Sequence, residues 1–225
     1  APMWVSADAP DLPFDLPKLA GLSELSGYGA LINDAALLAF LQTPADANWD
    51  IAVSPAVRQV VSKRWRTMDA AKRRKLVSDL LATMLALNIV RGDRLIVAVE
   101  PALAALLFYG IVRLMPFRAI VERLSFSTCQ SHFENAVATL SAVSFFDPQT
   151  ADLNPEAYRG AALNTFNQKR GQLIRSHAAA DTLVDLFVQR GDTSEIERIS
   201  RRAESCGAAQ LAHFARFDLL VARAE

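Results

Sequence analysis

The chain has 225 residues, is 52% apolar and 21% charged, and balances 24 Lys and Arg against 24 Asp and Glu. A chain of this length buries roughly 70% of the surface that its unfolded form exposes, and its composition excludes an intrinsically disordered protein. The balanced charge also removes the global basic excess that is typical of proteins binding nucleic acid or anionic lipid, although it is compatible with a local basic patch.

The cysteine content and the longest apolar stretch indicate where the chain resides. Cys129 and Cys206 are too few for a disulfide scaffold, which favours a reducing compartment. The first residues show neither the basic segment nor the apolar run of a signal peptide, and the missing initiator Met predicts either a trimmed chain or a fragment of a longer protein. Residues 95–112 are apolar but contain Glu100 and Pro101, and a carboxylate near the bilayer centre costs about 3 kcal/mol. We therefore expect a cytoplasmic chain with no membrane span.

The N-terminal part is predicted to be an extended arm followed by helices. Residues 1–22 contain four prolines, which fix φ and remove backbone donors, so an arm lying on a surface is expected. Helices are predicted over 31–42, 54–65 and 70–88, with Asn33-Asp34, Ser54-Pro55 and either Thr67 or Asp69 at their starts.

The middle of the chain predicts a small sheet. Strands are expected at 95–99, 124–128 and 138–146, with a helix over 102–115 and a helical turn over 117–122. The order strand, helix, strand predicts a βαβ unit with a right-handed crossover.

The C-terminal part is predicted to be helical after a polar loop over 147–160. Helices are expected at 161–175 with a break near Gly171, at 177–190 with Gly191 as its C-cap, at 194–205 and at 208–224. The fold class is therefore mainly α with a small central β-sheet, an α+β fold with one βαβ-like unit. Its predicted parts are the arm 1–22, a helical domain with the sheet over 23–160, and a C-terminal helical bundle or set of hairpins over 161–225 that packs on that domain.

A cluster after the second predicted strand contains residues of catalytic type. Cys129 and His132 have the chemistry of a nucleophile and its base, and Glu134 is placed to orient the imidazole. The alternative is a loop with no catalytic role, because three residues of separation do not ensure contact and no family-specific cysteine signature surrounds the pair. The alternative is favoured.

A metal site is not expected. Cys129, His132, Cys206 and His213 form a zinc-type ligand set, but their spacings match no tetrahedral pattern and the two halves lie far apart in the sequence. The glycines form neither a dinucleotide fingerprint nor a P-loop, so no cofactor is predicted either.

A basic run over residues 63–75 is the strongest local charge bias. It comprises Lys63, Arg64, Arg66, Lys72, Arg73, Arg74 and Lys75, with Trp65 inside it and Asp69 as its opposing charge. Cations around an aromatic ring are typical of surfaces that bind phosphate groups or stack a base. A solvated helix face is the favoured alternative, so nucleic-acid binding remains open but is not favoured.

Residues 93–128 resemble a known family. An apolar strand between Asp93 and Pro101, a helix that ends at Pro116, and the strand 123–128 reading Arg-Leu-Ser-Phe-Ser-Thr are similar to a core pattern of bacterial GTPase-associated proteins from predicted conflict (defence) systems. The chain departs from the pattern after Thr128, where Cys129 replaces the expected aromatic residue. The resemblance implies an accessory or adaptor to a separate GTPase, hence a protein partner, and it transfers no catalytic residue.

Together, these observations predict a non-catalytic interaction or scaffold module within a larger bacterial protein or assembly. The first alternative is a cysteine-dependent enzyme that uses Cys129 and His132. The second alternative is a nucleic-acid-binding module that uses the basic run.

Overall fold

The helices that precede the sheet begin at polar caps. The computed structural model describes residues 32–87, 92–130, 137–143, 154–158 and 160–205. The first five helices are α1 (Asp34–Gln42), α2 (Trp49–Ala52), α3 (Pro55–Val60), α4 (Lys63–Arg66) and α5 (Ala70–Ala86). Asn33 caps α1, Ser54 caps α3 with Pro55 at its first turn, and Asp69 caps α5. These starts confirm the predictions, but the helix predicted over 54–65 divides at Val61 and Ser62 into α3 and α4.

A small mixed sheet occupies the middle of the described chain. It comprises β1 (Leu95–Ala98), β2 (Phe126–Gln130), β3 (Leu140–Val143), β4 (Ala161–Asn164) and β5 (Lys169–Arg170), in the spatial order β2-β3-β1-β4-β5. The first four strands are parallel and β5 returns antiparallel to β4. The remaining helices are α6 (Pro101–Leu114), α7 (Arg118–Val121), α8 (Ala178–Arg190) and α9 (Ser194–Ser205). The fold is therefore mainly α with a small central sheet and a helical C-terminal part, as predicted.

The predicted helix over 161–175 is wrong, because 161–170 form a β-hairpin. Ala161–Asn164 pairs in parallel with β1, which has β3 on its other side. All four residues of β4 are buried. Their mostly small side chains suit an inner strand of the sheet that is covered on both faces. The sheet therefore extends across residue 160, where the sequence places a boundary between two parts of the chain. The predicted βαβ unit exists as β1, α6 and β2, but β3 lies between its two strands.

The sheet separates two sets of apolar contacts. On one face, Leu95, Val97, Leu140 and Leu163 belong to the large core that also contains the buried sides of the helices. On the other face, Ile96, Ala98, Val143 and Ala162 form a small cluster, against which Tyr158 and Phe166 pack. All the described helices that contribute to the large core therefore lie against one face, and the ends of β1 and β4 meet α4 and α5 at the edge of this layer.

Several predictions concern residues outside the described part or differ at its borders. The arm over 1–22, the helix over 208–224 and the end of the strand predicted at 138–146 lie outside the described residues. The strand predicted at 124–128 runs instead over Phe126–Gln130.

Within the described helices, none combines the length and the apolar character that a membrane crossing requires. The stretch 95–112 forms β1 and most of α6, and most of its described apolar side chains are buried in the core, as predicted.

Candidate functional site

An open cleft of about 610 Å³ lies at the carboxyl end of β4. Residues 64–76, from α4 and the first turns of α5, form one wall, and residues 163–170 of the β4–β5 hairpin form the other. This volume falls in the range of small-molecule sites. The position also matches the general rule that ligands of open sheets with parallel strands bind outside the carboxyl ends of those strands.

Local hydrogen bonds set the shape of both walls. The Oδ1 atom of Asp69 accepts from the backbone N–H of Ala71 at 2.8 Å, which fixes the start of α5. In the hairpin, Oδ1 of the buried Asn164 accepts from the backbone N–H of Phe166 at 2.9 Å. Gln168 closes the hairpin turn with a φ of 63°, a left-handed conformation that is costly for a residue with a Cβ atom.

Four cations line the cleft, from three elements of the fold. Arg64 comes from α4, Lys72 and Lys75 from α5, and Arg170 from β5. Asp69 is the one carboxylate among the described lining residues, and it already caps a helix. The lining therefore presents an excess of positive charge to any molecule that enters.

Arg64 joins the ends of β1 and β4. Its Nη1 lies 3.6 Å from Oε1 of Glu100, and its Nη2 donates to the backbone oxygen of Thr165. The guanidinium carbon is 4.8 Å from the ring centroids of both Trp65 and Phe166, within cation–π range. Desolvation lowers the pKa of Arg64, and the neighbouring Glu100 carboxylate opposes this effect. The side chain keeps its charge and is held in place by four neighbouring groups: the Glu100 carboxylate, the Thr165 carbonyl, and the rings of Trp65 and Phe166.

A buried carboxylate behind the cleft holds two of the other cations. Asp79, whose side chain is 1% exposed, pairs with Lys75 at 2.9 Å and with Arg170 at 2.6 Å. Ser176 Oγ donates to the same carboxylate at 2.7 Å, and Lys75 also lies 3.4 Å from Asp181. Desolvation alone would lower the pKa of Lys75, but its interactions with the two carboxylates raise it. Both cations are therefore oriented by groups that lie behind the lining.

The structure divides the predicted basic run into three groups. Arg64, Lys72 and Lys75 line the cleft together with Trp65. Three arginines donate to backbone carbonyls instead: Arg66 to Val61 and Arg58, Arg73 to four carbonyls, and Arg74 to Leu41. Lys63 is exposed and lies outside the cleft lining. The run is thus neither a uniform solvated face nor a uniform binding surface.

Arg73 and Trp65 in particular differ from the sequence interpretation. Arg73 is 0% exposed and lies within 6 Å of two rings, Trp49 at 5.2 Å and Phe40 at 5.7 Å, so it is a structural residue rather than a surface cation. Trp65 is 1% exposed, and its Nε1 donates to Oε2 of Glu100 at 2.8 Å. Its ring is therefore packed into the protein and is not presented for stacking on a base.

Of the predicted catalytic cluster, Cys129 alone belongs to the described residues, and it is not among those that line the cleft. Cys129 lies in β2, which is three strand spacings from β4, or about 14 Å at roughly 4.8 Å per spacing. His132 and Glu134 lie outside the described residues, as do Cys206 and His213 of the rejected metal set. Within the described residues, no group of three or more His, Cys, Asp or Glu side chains is arranged to hold a metal ion.

Arg170, which lines the cleft, and Glu100, which holds Arg64 beside it, were both missing from the predicted site residues. Arg170 falls in the segment predicted to be helical, so its place beside α5 has no local signal. Glu100 carried a signal, because a carboxylate directly after a buried strand marks the strand's carboxyl end. Its pairing with Arg64 and Trp65 depends on tertiary contacts across the layer.

Comparisons with known proteins do not place the chain in a family. No protein-family model matches the chain, no curated protein matches it, and no solved structure matches its fold. The geometry of the cleft is therefore the basis for any functional conclusion.

Proposed function

We propose that the chain is a non-catalytic interaction module of a larger bacterial protein or assembly, and that it binds an acidic segment of a protein partner in the cleft. The observation that carries this proposal is the convergence of Arg64, Lys72, Lys75 and Arg170 on one cleft. Opposite charges across an interface steer association and fix its register. Four cations around a concave surface are suited to Glu and Asp side chains of an extended segment.

The chemistry of the lining favours binding over catalysis. The described lining residues include no Cys, His, Ser or Tyr side chain. The two threonine hydroxyls are engaged with backbone oxygens, Thr165 with Ala98 at 2.8 Å and Thr67 with Arg64 at 3.1 Å. A nucleophile needs an adjacent base to be activated, and the described lining offers no such pair. The enzyme alternative would have to use Cys129, away from this cleft.

The burial of Trp65 disfavours the nucleic-acid alternative. Binding to single strands relies on exposed aromatic faces together with a basic groove, and here the aromatic ring is covered. Three further cations of the run, Arg66, Arg73 and Arg74, lie outside the cleft lining and donate to backbone carbonyls. An acidic peptide needs the cations alone, so it fits this lining better.

The proposal keeps the partner and compartment that the sequence favours. A reducing cytoplasm is compatible with the two cysteines of the chain. The resemblance of residues 93–128 to GTPase-associated proteins suggests a GTPase or its assembly as the source of the acidic segment, and this remains a prediction.

Peptide binding tests the proposal directly. A fluorescent peptide of alternating Glu and Leu should bind the full chain, and the matched peptide with Gln in place of Glu should not. Lys72→Gln should weaken binding about threefold, because it removes one solvent-exposed ionic contact. Lys63→Gln is the matched control, since Lys63 is exposed in the same basic run but does not line the cleft. Fluorescence anisotropy at about 50 mM and 200 mM salt measures the affinity of each variant for each peptide and the dependence of that affinity on salt.

Three results would contradict the proposal. The first is no binding of the Glu peptide at low salt. The second is equal binding by wild type and Lys72→Gln. The third is an equal loss of affinity for Lys72→Gln and Lys63→Gln, combined with tighter binding of a single-stranded oligonucleotide than of the Glu peptide. That result would indicate a diffuse nucleic-acid-binding surface.

A further inference from the structure

We propose that the group bound in the cleft is a phosphate monoester, an inference that rests on the proposed function of the same site. The donors come from both walls of the cleft: α4 and α5 supply Arg64, Lys72 and Lys75 on one wall, and β5 supplies Arg170 on the other. A phosphate monoester has three terminal oxygens in a tetrahedral arrangement, whereas a carboxylate has two in a plane. Donors on both walls of one cavity suit the tetrahedral group better.

Two of the cations retain donors for a ligand. Arg170 uses Nη1 for Asp79, and its guanidinium makes no other hydrogen bond to the described residues. Its side chain is 49% exposed and forms part of the cleft lining. Lys72 is exposed and forms no ion pair with a described residue. A guanidinium fork together with a lysine point charge is a common combination for phosphate recognition.

The charge of the ligand also favours a phosphate monoester over a single carboxylate. Asp79 and Glu100 partly neutralise Lys75, Arg170 and Arg64, which reduces the attraction for each negative charge of a ligand, so a second negative charge adds to the affinity. A phosphate monoester carries about −1.5 to −2 charges at pH 7 and gains correspondingly more. The same carboxylates hold the cations in position, which reduces the entropy that is lost when a ligand binds.

Apolar side chains in the cleft specify the rest of the ligand. Leu76 and Leu163, which are both buried, line it next to the partly buried Met68. A bare inorganic ion leaves the exposed part of this surface, which belongs mainly to Met68, in contact with water, whereas an apolar body attached to the phosphate covers it. The expected ligand is therefore a phosphate ester on an aromatic or aliphatic group, either a small molecule or a phosphorylated side chain of the partner segment.

Calorimetric titration of the full chain tests this inference with matched probes. Phenyl phosphate and benzoate share a ring and differ in the anion, and inorganic phosphate lacks the ring. Phenyl phosphate should bind at least about fivefold more tightly than either of the others at pH 7.5. Its affinity should rise between pH 5 and pH 7, because the second ionisation of the phosphate has a pKa of about 6. Lys72→Gln and Arg170→Lys should each weaken it about threefold or more, and Lys63→Gln should leave it unchanged.

The Glu-Leu peptide and its copy with one phosphotyrosine identify the source of the phosphate. A phosphopeptide that binds at least tenfold more tightly than phenyl phosphate supports a phosphorylated partner, and comparable affinities support a small phosphate ester. Equal binding of phenyl phosphate and benzoate overturns the phosphate inference, and binding of the Glu-Leu peptide in that case leaves the proposed function intact. No binding of any probe overturns both.

Discussion

Replacing Arg73 with methionine should cost a large part of the stability of this chain. Arg73 is fully buried, and its guanidinium donates to the carbonyl oxygens of Phe40 at 2.5 Å and Trp65 at 2.9 Å, and also to those of Thr43 and Met68. These four carbonyls lie at the ends of α1 and α4, where helices leave acceptors without intrahelical partners. One side chain therefore completes two helix ends at once.

The magnitude follows from two opposing contributions. Each hydrogen bond to a charged group is worth about 1.5–3 kcal/mol, and methionine would leave the carbonyls unsatisfied in an apolar environment. Removing the guanidinium also recovers a desolvation penalty of several kcal/mol. That penalty is evident in the pKa of Arg73, which burial lowers against the opposing effect of Asp69. The expected net loss for Arg73→Met is about 3–5 kcal/mol, out of the roughly 5–15 kcal/mol typical of a folded domain.

Urea denaturation followed by circular dichroism measures this loss, with neighbouring residues as controls. Arg74→Met removes a single bond, to the Leu41 carbonyl at 3.0 Å, and should cost about 1 kcal/mol. Lys72→Met should cost less than about 0.5 kcal/mol, because Lys72 is exposed. Arg73→Lys keeps the charge but loses the guanidinium fork, so it should lower the free energy of unfolding by an intermediate amount. This variant provides the test if Arg73→Met fails to fold. A loss for Arg73→Met within 1 kcal/mol of that for Arg74→Met, at an unchanged m-value, would refute the reasoning.

Three other predictions concern single residues. Gln168→Gly should raise the free energy of unfolding by about 0.5 kcal/mol, because glycine accepts the φ of 63° without strain, whereas Gln168→Ala should bring no gain in the same urea denaturation. Asp34→Asn should cost about 1–2 kcal/mol at pH 7, because the bidentate pair with Arg113 is lost. Burial alone would raise the pKa of Asp34, but the hydrogen bonds that it accepts from Arg113 and Tyr109 lower its pKa below the ordinary value of an aspartate. The stability advantage of the wild type over Asp34→Asn should therefore persist down to about pH 4 and disappear as the pH falls further. An advantage that grows in acid would contradict this. Asp79→Asn should cost about 2–4 kcal/mol, whereas Arg118→Gln, which breaks an exposed pair, should cost less than about 0.5 kcal/mol in the same urea series.

Much of the helical part of the fold could be predicted because its signals are local. Caps such as Asn33, Ser54 and Asp69 act on backbone groups two or three residues away, so they are recognisable in the sequence. The same holds at the end of α8, where Gly191 adopts the left-handed C-cap with a φ of 76°. These features depend on neighbouring residues alone, and the structure confirms them.

The hairpin of β4 and β5 could not be predicted in this way. Ala161, Ala162, Leu163 and Asn164 include no β-branched residue, and alanine favours helix in isolation. They form a strand because β1, far away in the sequence, offers them a parallel edge and a buried position. A contact of this kind has no local signature. Because residues 161–175 were predicted to form a helix, Arg170 was not predicted to be a site residue.

The basic run shows how helical spacing assigns different roles to adjacent cations. Arg73 lies three, four and seven residues before Leu76, Val77 and Leu80, which places it on the buried face of α5. Lys75 lies four residues before Asp79, and the two pair at 2.9 Å at the back of the cleft. The spacing alone therefore indicates that Arg73 is buried and that Lys75 has an acidic partner. The spacing does not predict the tertiary partners of this helix, because the α1 carbonyl that Arg73 contacts and the Arg170 guanidinium that pairs with Asp79 belong to distant parts of the sequence. A charge run is best interpreted residue by residue on the helix, before any ligand is assigned to it.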